Sequence, residues 1–248
     1  VDVPVAVKLS PYFSSVAAGA SRAARASGST LILGITGHDV AETLRLVEAA
    51  RSHRSQALVL VGGLLADADS LAALQSAIDD FRRSTGAGVA LVGQPVLDVA
   101  CVAPANRDGA AALARALVEQ GHHTFAILGG PADHLTARDR SDGFTEGLAD
   151  SGEVVARVEG AFTRDGGHEA MAELLASGAR PDVVFAVNDV MAVGALAAAR
   201  EAGVAVPGDI RVAGFDDIPT LRDIVPSLTT VRVPLERIGE VAVRMALG

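Results

Sequence analysis

Residues 183–198 read Val-Val-Phe-Ala-Val-Asn-Asp-Val-Met-Ala-Val-Gly-Ala-Leu-Ala-Ala. Five consecutive apolar residues, rich in β-branched types, suit a parallel strand covered on both faces. The Asn-Asp pair that follows suits a helix start, where side-chain oxygens satisfy backbone N–H groups that have no partner within the helix. The stretch is therefore one strand–helix unit, and the same grammar recurs along the chain. Strands are expected over Val3–Leu9, Thr30–Ile35, Ala57–Val61 and Val89–Val92 in the first half. In the second half they are expected over Thr124–Leu128, Val154–Val158, Val183–Val187 and Ile210–Phe215. Their starts recur at roughly ~30 residues, one βα unit each. Between them lie helical patterns. Ala110, Leu113, Ala114, Leu117 and Val118 trace an i, i+3, i+4, i+7, i+8 stripe, and Asp39 followed by Glu42 has capping-box spacing. Two such series predict an α/β chain of two doubly wound parallel-sheet lobes. The second begins at Asn106–Gly109, after a crossover near Ala103-Pro104-Ala105. Ligands of open α/β sheets bind beyond the carboxyl ends of the strands, so a ligand cleft between the lobes is expected, with hinge closure as its natural motion.

Composition narrows the function. The chain has 248 residues, half of them hydrophobic, with a formal net charge of −9. That charge argues against a phosphate-backbone surface, which needs clustered Lys and Arg. Apolar and charged positions alternate too closely for a membrane span of ~18 residues. Val1-Asp2-Val3-Pro4 has no basic segment of a secretion signal and no initiator Met, so a longer parent polypeptide is expected. Cys101 is the single cysteine and reads as a small buried residue in a strand. Neither nucleotide-binding glycine fingerprint is present. Gly19-Ala20-Ser21-Arg22-Ala23 falls short of a nucleophile elbow and sits in a predicted helix. The histidines His38, His53, His122, His123, His134 and His168 show no zinc-ligand spacing, and His122-His123 suits a helix end. No catalytic residue, metal or cofactor is expected.

The order of several motifs is more specific than any one of them. Phe185-Ala-Val-Asn-Asp-Val-Met-Ala-Val-Gly-Ala195 is followed by Val206-Pro207-Gly208-Asp209-Ile210, Val212-Ala213-Gly214-Phe215-Asp216-Asp217-Ile218-Pro219 and Pro226-Ser-Leu-Thr-Thr-Val-Arg-Val-Pro234. Upstream stand Asn106-Arg-Asp-Gly-Ala110, Gly121-His122 and Arg140-Ser-Asp-Gly-Phe144, with Ser10-Pro11-Tyr12-Phe13 a looser match in the first lobe. This series resembles the LacI/GalR family of transcription regulators over essentially the whole chain. The resemblance implies a type I periplasmic-binding-protein-like fold, with residues 1–103 plus 233–248 as one lobe and 104–232 as the other. It implies a cytoplasmic homodimer whose core closes on a small-molecule effector, most simply a sugar, and so changes operator affinity. Operator DNA would be read by an N-terminal helix-turn-helix absent from this chain, and the family's last strand and helix would lie beyond Gly248.

The resemblance also selects site residues. Asn188 faces ligand hydroxyls in relatives, although its position equally suits an N-cap, and Asp189 reads as a helix-start residue. Asp216, at a strand's carboxyl end, can accept hydrogen bonds from adjacent hydroxyls; Asp217 reads as a turn residue. The motif selects Arg140 over Arg138, and a guanidinium fork can grip a hydroxyl pair or an anion. Tyr12, Phe13 and Phe162 can cover the apolar face of a ring, or simply fill the core. Gly93-Gln94 stands where many sugar-binding relatives carry an acidic residue, which leaves room for a less hydroxyl-rich effector. Two other readings are carried forward. One is a solute receptor of a sugar transport system. The other is an enzyme using Asp216, Arg140 and His134.

Overall fold

The computed structural model describes residues 2–7, 10–36, 39–62 and 67–248. The chain divides into two compact units, one of residues 1–104 and 234–248, the other of residues 105–233.

In the first unit β1 (Asp2–Val7), β2 (Thr30–Ile35), β3 (Ala57–Val61), β4 (Gly88–Val92) and β5 (Ala100–Val102) alternate with α1 (Pro11–Ala26), α2 (Val40–Ser52) and α3 (Ala68–Thr85). The strands form one sheet in the order β2-β1-β3-β4-β5, and every recorded pairing is parallel. Leu58, Leu60, Leu74, Ile78, Phe81 and Leu91 form its densest apolar cluster. α8 (Leu235–Leu247) returns to this unit and lies along α1, where Arg22 pairs with Glu236 and Glu240.

The second unit repeats the plan. β6 (Thr124–Gly129), β7 (Glu153–Glu159), β8 (Val183–Ala186), β9 (Arg211–Asp216) and β10 (Thr229–Arg232) alternate with α4 (Asn106–Glu119), α5 (Leu135–Leu148), α6 (Arg164–Ala176) and α7 (Asp189–Glu201). Sheet order is β10-β9-β8-β6-β7, again parallel in every recorded pairing. Counted from each unit's first strand, both sheets have the order 2-1-3-4-5. The winding direction reverses between the first and third strands, the switch point where such sheets bind ligands.

Most expected elements are found, with instructive differences. β1 is described over Asp2–Val7; the rest of the strand expected to Leu9 falls on Lys8 and Leu9, which, like His38, lie outside the described residues. β5 and β10 are too short to show a period and were not expected as strands. Cys101 lies in β5 but is half-buried rather than buried, because β5 is the outer strand of its sheet. Asp39 caps α2 through Ala41 N and Glu42 N, but the Glu42 carboxylate pairs with Arg45 rather than closing a capping box.

The second unit's helices touch at backbone distance. A Cβ added to Gly143 of α5 would stand 2.1 Å from the Arg107 carbonyl oxygen of α4, and one added to Gly147 would stand 2.3 Å from the Ala111 oxygen. Two glycines one turn apart therefore fix how α5 lies on α4, and α5 carries the principal charged residue of the candidate site.

Candidate functional site

The carboxyl ends of β6, β8 and β9 lie side by side, and the turns leaving them bring polar side chains together. At the end of β8 the chain leaves Val187 and starts α7. Asn188 is the N-cap, in an extended conformation, with its Oδ1 accepting from Met191 N at 2.8 Å. The capping alternative is thus realised for Asn188. The bond uses its carbonyl oxygen and leaves its amide NH2 as the group able to donate to a ligand.

At the end of β9, Asp216 and Asp217 have φ of 126° and 56°. Side-chain-bearing residues rarely adopt this region, at a cost of order ~1–3 kcal/mol each, and such strain tends to collect at functional sites. The surroundings hold Asp216 in place. Its carbonyl accepts from Val233 N, and Oδ1 accepts from Arg140 Nη2 at 2.8 Å.

Arg140, from the middle of α5, reaches all these ends at once. Nε donates to Asn106 Oδ1 at 2.9 Å, Nη1 to the Val187 carbonyl at 2.9 Å and Nη2 to Asp216. Its guanidinium carbon lies 4.0 Å from the centre of the Phe215 ring. The side chain is only 2 % exposed. A buried guanidinium needs this much company, because an unpaired charge in the interior is expensive. Arg140 therefore ties the start of α4, the end of β8 and the end of β9 into one unit. These bonds use three of its five N–H groups.

A second carboxylate lies beneath the first. Asp189 is fully buried and accepts from Thr230 Oγ1 at 2.6 Å and from Ile218 N at 2.9 Å. Burial raises its pKa despite these donors. Asp216 is pushed up to about 7, chiefly by burial; Arg140 pulls it down and the neighbouring Asp189 pushes it up.

Phe162 follows β7 and is half-buried, its ring stacked on that of His134 at 4.2 Å between centres. His134 follows β6 and caps α5. In the first unit, Tyr12 and Phe13 open α1 and meet edge to face at 5.1 Å; Phe13 is buried beside Gly62, just past the end of β3. Gly93, past the end of β4, has φ of 154° and donates its N–H to the Val102 carbonyl.

Arg140, Asn188 and Asp216 are therefore neighbours on one sheet edge, as the sequence suggests. Sequence reasoning missed Asn106 as a partner of Arg140, Asp189 as a buried carboxylate rather than a plain helix start, and the aromatic support from Phe215. Asp217, directly after β9, pairs with Arg232 at 2.5 Å. A cavity of about 700 Å³ in the same unit, lined by Arg164, Val193, Leu196, Arg200, Val225 and Pro226 among others, shares no residue with this cluster. Among the described residues, no group of His, Cys, Asp and Glu is arranged to hold a metal, and no helix is long and apolar enough to cross a membrane.

Residues 114–248 match the family model of the periplasmic binding protein-like domain. The repressor PurR of Erwinia tasmaniensis is 32% identical over 246 residues, covering 96% of this chain and 69% of that protein. The regulator GalR of Escherichia coli is 32% identical over 244 residues, covering 96% and 68%. Among solved structures, a dimeric Lac repressor superposes with a TM-score of 0.88 at 23% identity, over 100% of this chain and 90% of that one. A transcriptional regulator CelR in complex with cellobiose superposes with a TM-score of 0.82 at 27% identity, over 99% and 76%.

Proposed function

Because the chain belongs to the LacI/GalR family of transcription regulators, we propose that its second unit grips a small polar effector through Asp216, Asn188 and Phe162, with Arg140 holding them in register. The carrying observation is that Arg140 bonds both Asp216 and the carbonyl preceding Asn188, at the edge where two wound strands end. Asp216 supplies acceptors, the Asn188 amide supplies donors, and Phe162 supplies an apolar ring. That combination suits a sugar or a similarly substituted ring. Cellobiose in CelR and ribose in a LacI-family regulator of Enterococcus faecium are occupants of this kind in neighbouring folds.

An effector that binds one conformation of the protein better than another shifts the population toward the conformation it prefers. The reach of the switch is set by differential affinity, of order ~1–3 kcal/mol. Operator contact is assigned to a helix-turn-helix outside these 248 residues, consistent with the net charge of −9. A homodimer in the cytoplasm belongs to the same proposal; the Lac repressor neighbour is dimeric. No bond-making step and no cofactor enter this reading.

Calorimetric titration with sugars, sugar phosphates and purines tests it. Arg140→Ala and Asp216→Ala should each weaken the binding compound by ~2 kcal/mol or more, since either change leaves a buried polar partner unsatisfied. Wild-type affinity in both variants overturns the site assignment.

A further inference from the structure

Among the described helices, α1, α4 and α8 have no side-chain cap, and of those that do have one only α5 uses a histidine. α2, α3, α6 and α7 are capped by the side chains of Asp39, Asp67, Thr163 and Asn188, all of preferred N-cap types. α5 is capped by His134, whose Nδ1 accepts from Ala137 N at a long 3.3 Å. Asp133, a better cap by chemistry, stands one residue earlier. Capping alone does not call for a histidine here.

What histidine adds is a flat face. The His134 ring, 4 % exposed, lies on Phe162 with centres 4.2 Å apart and planes 25° from parallel. Gly130 makes room for the pair: a Cβ there would stand 3.0 Å from Phe162 Cδ2 and 2.6 Å from Ala137 Cβ. The backbone is also held, with His134 N donating to the Pro131 carbonyl at 2.9 Å and the His134 carbonyl accepting from Arg138 N at 3.1 Å. One residue thus joins three parts of the unit: its backbone the turn after β6, and its side chain the start of the helix bearing Arg140 and the loop bearing Phe162.

We infer that His134 is a positioning residue that sets the Phe162 ring as a platform for the apolar face of a ring-shaped effector, and aligns it with Arg140 through α5. Its consequence for binding rests on the effector reading given above. A pyranose C–H face and a purine base share the required chemistry, a ring with one apolar face and polar groups on its rim. With Nδ1 accepting the cap, a neutral His134 carries its proton on Nε2.

Two variants of the full chain separate ring from cap. His134→Asn keeps a strong capping side chain and removes the ring; His134→Phe keeps a ring and removes the capping acceptor. Each is made with 4-fluorophenylalanine at position 162 and read by 19F resonance, melting temperature and titration with ribose, cellobiose and hypoxanthine. The expected result for His134→Asn is a melting temperature at or above wild type, a displaced 19F resonance and at least tenfold weaker binding of the compound that binds wild type. His134→Phe should melt lower, keep the resonance near its wild-type position and lose less than threefold in affinity. An unmoved resonance in His134→Asn, or equal affinity losses in both variants, overturns the positioning role. Binding confined to hypoxanthine identifies the face as a base, and binding confined to ribose or cellobiose identifies it as a sugar; either supports the platform. If none of the three binds wild type, the effector reading fails for these compounds, while the 19F comparison still decides what His134 does to Phe162.

Discussion

Arg140→Met removes the guanidinium at the centre of the cluster while keeping an unbranched apolar stem in its place. The substitution deletes bonds to Asn106, Val187 and Asp216 and the contact over Phe215. Breaking a buried ion pair by removing one partner costs about 3–5 kcal/mol. Asp216 already sits at about 7 with Arg140 in place, so without it the carboxyl takes up a proton at neutral pH and escapes part of that penalty. The expected loss is therefore at the lower end, ~3 kcal/mol, against a total of order ~5–15 kcal/mol for a domain. With a urea slope of ~2 kcal/mol/M, the midpoint of the second unit's transition falls by ~1.5 M. Adding Asp216→Asn to Arg140→Met should cost much less than the sum of the single changes, with a coupling of at least ~1.5 kcal/mol, because the pair shares one interaction. A single-variant loss under ~1 kcal/mol, or simple additivity, would refute the buried-clamp account of Arg140.

Three further outcomes follow from the same geometry. Asp216 keeps its proton to higher pH when folded than when unfolded, where its pKa is near 3.8. The native state then binds more protons between about 4 and about 7, so stability falls as pH rises through that window. Asp189 acts in the same direction, and Asp182, held low mainly by the backbone N–H groups of His123 and Thr124, acts oppositely and is lost at acid pH. Urea titrations at pH 5 and 8 should show the fall in wild type and a clear reduction of it in Asp216→Asn; an identical pH slope would contradict the burial argument. Gly143→Ala, whose new methyl meets the Arg107 carbonyl, should destabilise the second unit by ~2 kcal/mol or more through helix separation, measured by thermal melting. Asn188→Ser should melt within a degree or two of wild type, because serine also caps, yet bind effector at least tenfold more weakly; undiminished binding would leave Asn188 a cap and nothing else.

How much of this was legible in the sequence depends on the length of the signal. β8 is no longer than β10, but its four residues lie in an unbroken apolar run that leads through an Asn-Asp pair into the periodic α7, so strand, cap and helix are all written locally. β5 and β10, of three and four residues, owe their existence to pairing with β4 and β9 and have no pattern of their own. The candidate site divides the same way. Asp216 and Asn188 could be placed because each follows a strand directly. Asn106 as a partner of Arg140 could not, since it lies 34 residues away at the start of another helix and reads there only as part of α4. His134 gave the weakest signal. A histidine before a helix is unremarkable in sequence, and its weight comes from a ring contributed by a different loop.

The central claim is that one sheet edge of the second unit recognises a ring-shaped effector through Asp216. Its most direct test is a melting screen of wild type and Asp216→Ala against sugars, sugar phosphates and purines, since a ligand that prefers the folded state raises the melting temperature. The account predicts a compound that raises the wild-type melting temperature by several degrees and leaves Asp216→Ala unmoved. Equal shifts in both proteins would contradict it.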